Sequence, residues 1–421
     1  MSVLFLVLAI VWASATLVAL VRVRHPAALG FPIMMTGWLT GDYPVFHMAA
    51  QAVVTVVLVA LGALGATSGI IALVITVVSW FGLGVAWRVS RQARPTAETA
   101  LAAGLGDDYL DRVEPDRRAS LRTEPDPGLV RHPLRQDRSG IEFIGNLSYG
   151  DAGKRNLLDV YRPEVVDGPA PVLLQVHGGA WITGHKRQQA QPLLHRLARQ
   201  GVVCVSINYR LGPTHRFPDP IVDVKRAIGW VRDNIVEHGG DPSKIVLTGG
   251  SAGGHLTSLA ALTPNAAEFQ PGFEAADTTV AACVPFYGPA DFLDRHGIRG
   301  RLASLEPMLK RMVMPGSSAD HAELYHAVSP LGRVNADAPP FFVIQGTHDV
   351  LVWREETRRF VEALRAVSSH PVVYWEVPGA QHAFDTFNSW RSAAAVDAVE
   401  RFVAWVAAEV TAPPDPDLRV R

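Results

Sequence analysis

Residues 1–87 contain no lysine and no glutamate, and Arg22, Arg24 and Asp42 are the only formal side-chain charges among them. A stretch so poor in charge has few soluble solutions, because it offers almost nothing to hold its helices in water. The uncharged run from Ser2 to Val21 is about 20 residues, enough at roughly 1.5 Å rise each to cross a hydrocarbon layer of about 30 Å. From Val45 to Trp87 the apolar stretch is too long for one span, and the Gly62, Gly65, Gly69 region with Thr67 and Ser68 offers a turn. Membrane helices are therefore expected at about 2–21, 45–65 and 69–87, within an anchor covering residues 1–94. Between them AALGFPIMMTGWLTG is short and interrupted by Gly30, Pro32 and Gly37, which fits an interfacial or re-entrant piece. Arg22 and Arg24 follow the first helix and Arg88, Arg91 and Arg94 the third. Cytoplasmic loops carry such residues, so the amino terminus is expected outside and everything after Arg88 on the cytoplasmic side.

From Arg94 the composition turns to Pro, Asp, Glu and Arg, and residues 95–140 read as a linker or partial cap. A soluble domain is expected over 141–410, with a tail at 411–421. IEFIGNLSY and NLLDVYRP read as an opening strand pair. The buried strands PVLLQVHGG, VVCVSINYR, KIVLTGG, AACVPFYG, FFVIQGTHD and PVVYWEVPG then alternate with amphipathic helices. That order makes an α/β fold with a mostly parallel sheet covered on both faces, whose ligands gather at the carboxyl ends of the strands. Lys and Arg number 39 against 40 Asp and Glu, so no basic excess draws the chain to nucleic acid. Both cysteines, Cys204 and Cys283, sit in strand-like apolar runs and are expected as reduced, buried thiols.

LTGGSAGGHL places Gly249, Ser251 and Gly253 in a G-x-S-x-G pattern between an apolar strand and a small-residue helix. At such a junction the serine is held on a sharp turn that only very small neighbours permit, which makes Ser251 the candidate nucleophile. HGGAW at 177–181 ends an earlier strand. Acyl transfer creates an oxyanion that needs preorganised donors, so the backbone N–H groups of Gly178, Gly179 and Ala252 are the expected oxyanion hole. The remaining partners should follow in the order acid, then histidine. Asp349 ends FFVIQGTHD and His382 lies in the loop after the last strand, where a base can face Ser251. Asp223, Asp291, Asp294, His321 and His326 lie on a helix or in an insertion, and His348 is too close in sequence to Asp349 to be oriented by it.

These blocks, with VSINYRLGP, GGDPSKIVLTGGSAGG, PFYGP, APPFFVIQGTHDVLV and GAQHAF, resemble those of the hormone-sensitive-lipase-like carboxylesterases over about residues 141–410. The resemblance implies an α/β-hydrolase fold with an eight-stranded sheet. It also implies hydrolysis of small-molecule or lipid carboxylic esters through an acyl-enzyme, with no metal or organic cofactor. An amidase or formamidase on the same triad, and a non-catalytic membrane-bound binding protein, are the alternative readings. In the insertion at about 291–338, RGRLASLEPMLKRMVM carries Leu302, Leu305, Leu309, Met312 and Val313 at helical spacing, flanked by Arg299, Arg301, Lys310 and Arg311. A helix packed on the domain is expected, with a methionine-bearing lid at the bilayer (Met308, Met312, Met314) as the sharper alternative.

Overall fold

The computed structural model describes residues 1–411 apart from 24, 123, 125, 166, 167 and 302, and for residues 127, 129, 410 and 411 the backbone alone. Arg24, Leu302 and the tail from 412, all named above, lie outside the described residues.

Four helices open the chain: α1 (Ser2–Leu20), α2 (Ala27–Asp42), α3 (Pro44–Ala60) and α4 (Thr67–Ser90). By length and composition α1 and the run Thr67–Leu105 could each cross a membrane, and α2 with α3 forms a further apolar pair bent by 89°. Some buried polar groups of these helices find partners on a neighbouring helix. Thr16 and Ser79 share a hydroxyl hydrogen bond of 2.9 Å, and Ser79 also donates to Gln51 Oε1 at 3.3 Å. The expected helix at 45–65 stops at Ala60, because Gly62 turns left-handed (φ 82°) before a 3-10 turn at Ala63–Gly65. The segment expected to be interfacial is a complete helix, α2. Its Gly30, Met34, Gly37, Trp38 and Gly41 are buried at spacings of three and four, while Phe31 and Pro32 are exposed. Its buried face meets the second domain, and Met34 and Trp38 join that domain's core.

The region read as a linker or partial cap contains three helices, α5 (Ala93–Leu105), α6 (Pro115–Ser120) and α7 (Pro127–Arg131). Of these α5 belongs to the core. Ala93, Ala97 and Leu101, four residues apart, are fully or nearly fully buried. A Cβ on Gly104 would stand 2.7 Å from Val373 Cγ2, so helix and strand touch almost backbone to backbone.

The sheet comprises β1 (Ile141–Ser148), β2 (Leu157–Pro163), β3 (Ala170–Val176), β4 (Val203–Ile207), β5 (Gly240–Gly250), β6 (Ala282–Phe286), β7 (Phe341–Gly346) and β8 (Val372–Val377). Its eight strands lie in the order β1-β2-β4-β3-β5-β6-β7-β8. β2 pairs antiparallel with both β1 and β4, and every other pair is parallel. Helices α8 (Gln191–Arg199), α9 (Asp219–Asn234), α10 (Ala252–Leu262), α13 (Arg354–Val367) and α14 (Trp390–Thr411) cover it, with α11 (Glu306–Met308) and α12 (Ala322–Ala327) in the insertion. Successive strand residues face opposite layers. Leu174 joins Ile228, Leu256 and Phe360 on one side, and Leu173 joins Leu101, Leu197 and Phe402 on the other. Cys204 and Cys283 are free and buried.

The packed helix expected in the insertion is present in shortened form, a helical stretch from Glu306 to Val313, and it is not a lid with a free basic face. Pro307 and the Pro315-Gly316 pair bracket the segment, leaving α11 and one π-helical turn at Leu309–Val313. Leu309, Val313 and Met314 are buried in the domain core, and Arg299 is buried in an ion pair with Glu356. Arg216 donates to the carbonyls of Arg311 and Met314 at 2.9 Å each. The segment is thus a packed wall.

Candidate active site

Ser251 joins β5 to α10 with φ 57° and ψ −119°, a conformation few side-chain-bearing residues adopt. The neighbouring glycines explain how the turn closes. A Cβ on Gly249 would sit 2.5 Å from Val176 O, on Gly253 2.0 Å from the same oxygen, and on Gly254 2.6 Å from Phe286 O. The Ser251 N–H donates to Phe286 O at 2.9 Å, and its side chain stays half-buried at the sheet's carboxyl edge. Ala252 is the first residue of α10, where a backbone N–H has no acceptor within the helix.

The loop after β3 lies against the same turn, since a Cβ on Gly178 would approach Ser251 Cβ to 3.1 Å. Its donors differ from expectation. The Gly178 N–H already donates to Gln189 Oε1 at 2.7 Å, so it braces the loop rather than facing a reacting group. Gly179, at φ 117°, and Ala180, at φ 52°, are half-exposed beyond it. His177 acts as the prop. Its buried ring stacks on Tyr209 with 4.4 Å between centroids, and Nδ1 lies 2.7 Å from Gly178 O. Burial pushes its pKa down to about 4, so it stays neutral.

Asp349 and His382 are brought together. His382 Nδ1 lies 2.8 Å from Asp349 Oδ2, with both side chains almost entirely buried. The other carboxylate oxygen accepts the N–H groups of Leu351 (2.8 Å) and Val352 (2.9 Å), and Gln345 Nε2 reaches Oδ2 at 3.2 Å. Gln345 is itself fixed by Thr357, whose hydroxyl donates to its Oε1 at 2.9 Å. Tyr287, just after β6, lies with its ring 4.5 Å from that of His382, and its hydroxyl hydrogen-bonds to Asp385. A Cβ on Gly250 would stand 2.8 Å from the Tyr287 hydroxyl, so this tyrosine touches both the serine turn and the histidine.

The alternatives are occupied elsewhere. Asp223 binds Arg210 through both oxygens, Asp291 pairs with Arg295, and Asp294 caps the backbone at Ile298 to Gly300. His348 turns away from Asp349 toward Ala19 O at 3.2 Å. His321 and His326 lie at either end of α12, within the insertion. Gln345, Tyr287, Gln189 and Asp385 were missed from sequence, because none belongs to a short pattern and each acts through a neighbour distant along the chain.

Comparison with known proteins gives consistent matches. The BD-FAE family model matches residues 158–364. The chain is 42% identical to the probable carboxylic ester hydrolase LipM of Mycobacterium tuberculosis, over 97% of this chain and 95% of that one. It is 38% identical to the esterase LipQ of the same organism, over 91% and 86%. Among solved structures, a bifunctional GH43-CE protein of Bacteroides eggerthii superposes with a TM-score of 0.53 at 28% identity, covering 62% of this chain and 35% of that one. A truncated carbohydrate esterase from gut microbiota shares the fold, with a TM-score of 0.52 at 22% identity over 64% and 99%.

Proposed function

The chain belongs to the hormone-sensitive-lipase-like carboxylic ester hydrolases, and we propose that it is a membrane-anchored serine esterase working through Ser251, His382 and Asp349. The observation that carries this reading is the buried 2.8 Å contact between His382 and Asp349, together with the strained turn that presents Ser251. In the proposed reaction His382 Nε2 takes the Ser251 proton as Oγ attacks the ester carbonyl. Asp349 holds Nδ1–H and stabilises the imidazolium. The tetrahedral oxyanion is received by the N–H groups of Ala252 and Gly179, with that of Ala180 alongside, while Gly178 and Gln189 brace the loop. Collapse expels the alcohol with the proton returned from His382, and water repeats the cycle on the acyl-enzyme.

Residues 1–90 would hold this domain at the bilayer. Supporting this, the carboxyl end of α1 and that of α4 both lie against the catalytic domain: Ala19 O meets His348, and Arg91 stacks on Trp390 with 5.0 Å to the ring centroid. Both ends carry arginines, consistent with a cytoplasmic catalytic domain and an outer amino terminus. Purified full-length protein assayed in parallel on a short-chain aryl ester and a formyl anilide tests the reading. Ester turnover abolished by Ser251→Ala supports it; faster anilide turnover would make the protein an amidase.

A further inference from the structure

The segments that carry Asp349 and His382 follow β7 and β8, and loops in such positions ordinarily owe their placement to the sheet and its covering helices. Here the N-terminal helices hold them as well. On the acid side, the residues flanking Asp349 are both engaged: His348 Nδ1 lies 3.2 Å from Ala19 O, and His25 Nε2 lies 3.0 Å from Val350 O. Arg22 pairs with Glu355 and lies over the Trp353 ring a little further along.

On the histidine side the hold is tighter. Arg391, 1% exposed, donates from Nη1 to Gly41 O at 2.8 Å and to Asp42 Oδ1 at 2.5 Å, and from Nε to Pro378 O at 2.8 Å. A guanidinium at the carboxyl end of α2 meets both a buried carboxylate and the negative end of the helix dipole, so one side chain ties α2 to the start of the His382 loop. Gly37 abuts Gln381, the residue before His382, and a Cβ there would fall 2.9 Å from Gln381 Nε2, 3.2 Å from its Cγ and 3.2 Å from Val18 O of α1. Gln381 is 1% exposed, and neither of its amide atoms has a hydrogen-bond partner among the described residues. Its place is therefore set by packing against α2. Trp38 stacks on Phe387, further along the same loop, at 5.6 Å.

We propose that α2 is a working part of the catalytic site, with Gly37 and Asp42 as positioning residues that fix the His382 loop through Gln381 and Arg391. The proposal rests on His382 as the base. Its consequence is that the N-terminal segment does more than tether: a disturbance of α2 reaches the imidazole through one residue of chain.

The test uses the full-length protein in detergent and reads kcat, KM and thermal midpoint on a soluble aryl ester, beside the rate of labelling by a serine-directed phosphonate. Asp42→Asn and Gly37→Ala are each expected to lower kcat and labelling on the order of tenfold with KM little changed, since small misplacements of reacting groups are costly. Gln381→Ala should restore much of the loss in the Gly37→Ala background, by removing both Gln381 atoms the new methyl meets and leaving only its 3.2 Å approach to Val18 O. Gly84→Ala, on α4 where a Cβ would find nothing within 4 Å, should leave kcat unchanged. Folded Asp42→Asn and Gly37→Ala proteins with parental kcat would overturn the proposal, as would a Gly37→Ala loss that Gln381→Ala does not relieve. Should Asp42→Asn fail to accumulate, the Gly37 and Gln381 pair decides alone. His382→Ala, run alongside, separates the two failures: an inactive His382→Ala beside fully active α2 variants rejects only the positioning role, whereas an active His382→Ala rejects the base assignment and the proposal with it.

Discussion

The Tyr287 hydroxyl is hydrogen-bonded to the half-buried carboxylate of Asp385, and the Tyr287 ring lies against the imidazole of His382, 4.5 Å between centroids. One aromatic side chain thus connects the proposed base to a second carboxylate outside the triad. Burial holds the Asp385 carboxyl above its ordinary range, against the opposing hydrogen bond from Tyr287, and the phenol is raised far above its own.

Tyr287→Phe is expected to keep the fold and lower kcat on the order of threefold to tenfold, because the ring contact survives while the tie to Asp385 is lost. Asp385→Asn removes a group that gains its proton at higher pH than a surface aspartate would. Its activity should already be lower at neutral pH and should fall less steeply on the acid side than that of the parent. Parallel pH–rate profiles of the three proteins check this, and superimposable profiles would reject any role for the pair.

Asp349→Asn should lower kcat by about a thousandfold or more, through loss of the correct imidazole tautomer. Asp291→Asn keeps one acceptor oxygen and loses only the charge pairing with Arg295 and one of two backbone N–H contacts, so its activity should stay within about twofold while stability falls by about 1 kcal/mol. Steady-state rates and thermal midpoints of the two variants distinguish the assignments, and the reverse pattern would move the acid to the insertion.

The strand-and-helix alternation after residue 141 and the places of Ser251, Asp349 and His382 were legible because each rests on a local pattern: an apolar run, a small-residue turn, a strand end. Helix α5 was hidden, because its buried face is made of Ala93, Ala97 and Leu101 and its exposed face shares the polar composition of a linker. The role of α2 was hidden for a different reason. Its small-residue face reads as an interrupted membrane segment until Gln381 and Arg391 are seen against it. The Gly178 donor was misjudged because its acceptor, Gln189, belongs to a loop with no pattern of its own. In the insertion the apolar spacing was real, and Leu309 and Val313 pack inward from it, but the Pro315-Gly316 pair keeps the helix short.

Leu101→Ala is expected to lower stability by about 2–4 kcal/mol, a large-to-small change at a fully buried position facing β8, with little effect on KM. Removing residues 1–128 should be far worse, since it takes α5 off Val373 and Trp375, whose indole N–H donates to Thr96 Oγ1 at 3.0 Å. Such a truncation is expected to aggregate. Recovery of a soluble, monodisperse domain from it would show that α5 is dispensable.

Two buried imidazoles should make stability fall in mild acid. Burial lowers His177 to about 4 and His255 to about 3, from an ordinary 6.5. His255 stacks on Phe292 at 4.4 Å between centroids and directs Nε2 to Val328 O at 2.7 Å, so its place in the core is that of a neutral ring. Between those depressed values and 6.5 the unfolded chain binds protons that the folded chain does not, and stability rises with pH across that window. The contribution is fully present above 6.5 and is lost progressively as pH falls toward 4, at up to about 1.4 kcal/mol per pH unit for each imidazole. His255→Gln keeps an N–H donor for Val328 O but cannot titrate, so it should lower stability at pH 7.5 yet flatten the decline toward pH 5. Thermal midpoints of both proteins in the same detergent at pH 7.5, 6.5, 5.5 and 5 read the two slopes. A parent whose midpoint holds constant across that range would mean that these rings accept protons in the folded state.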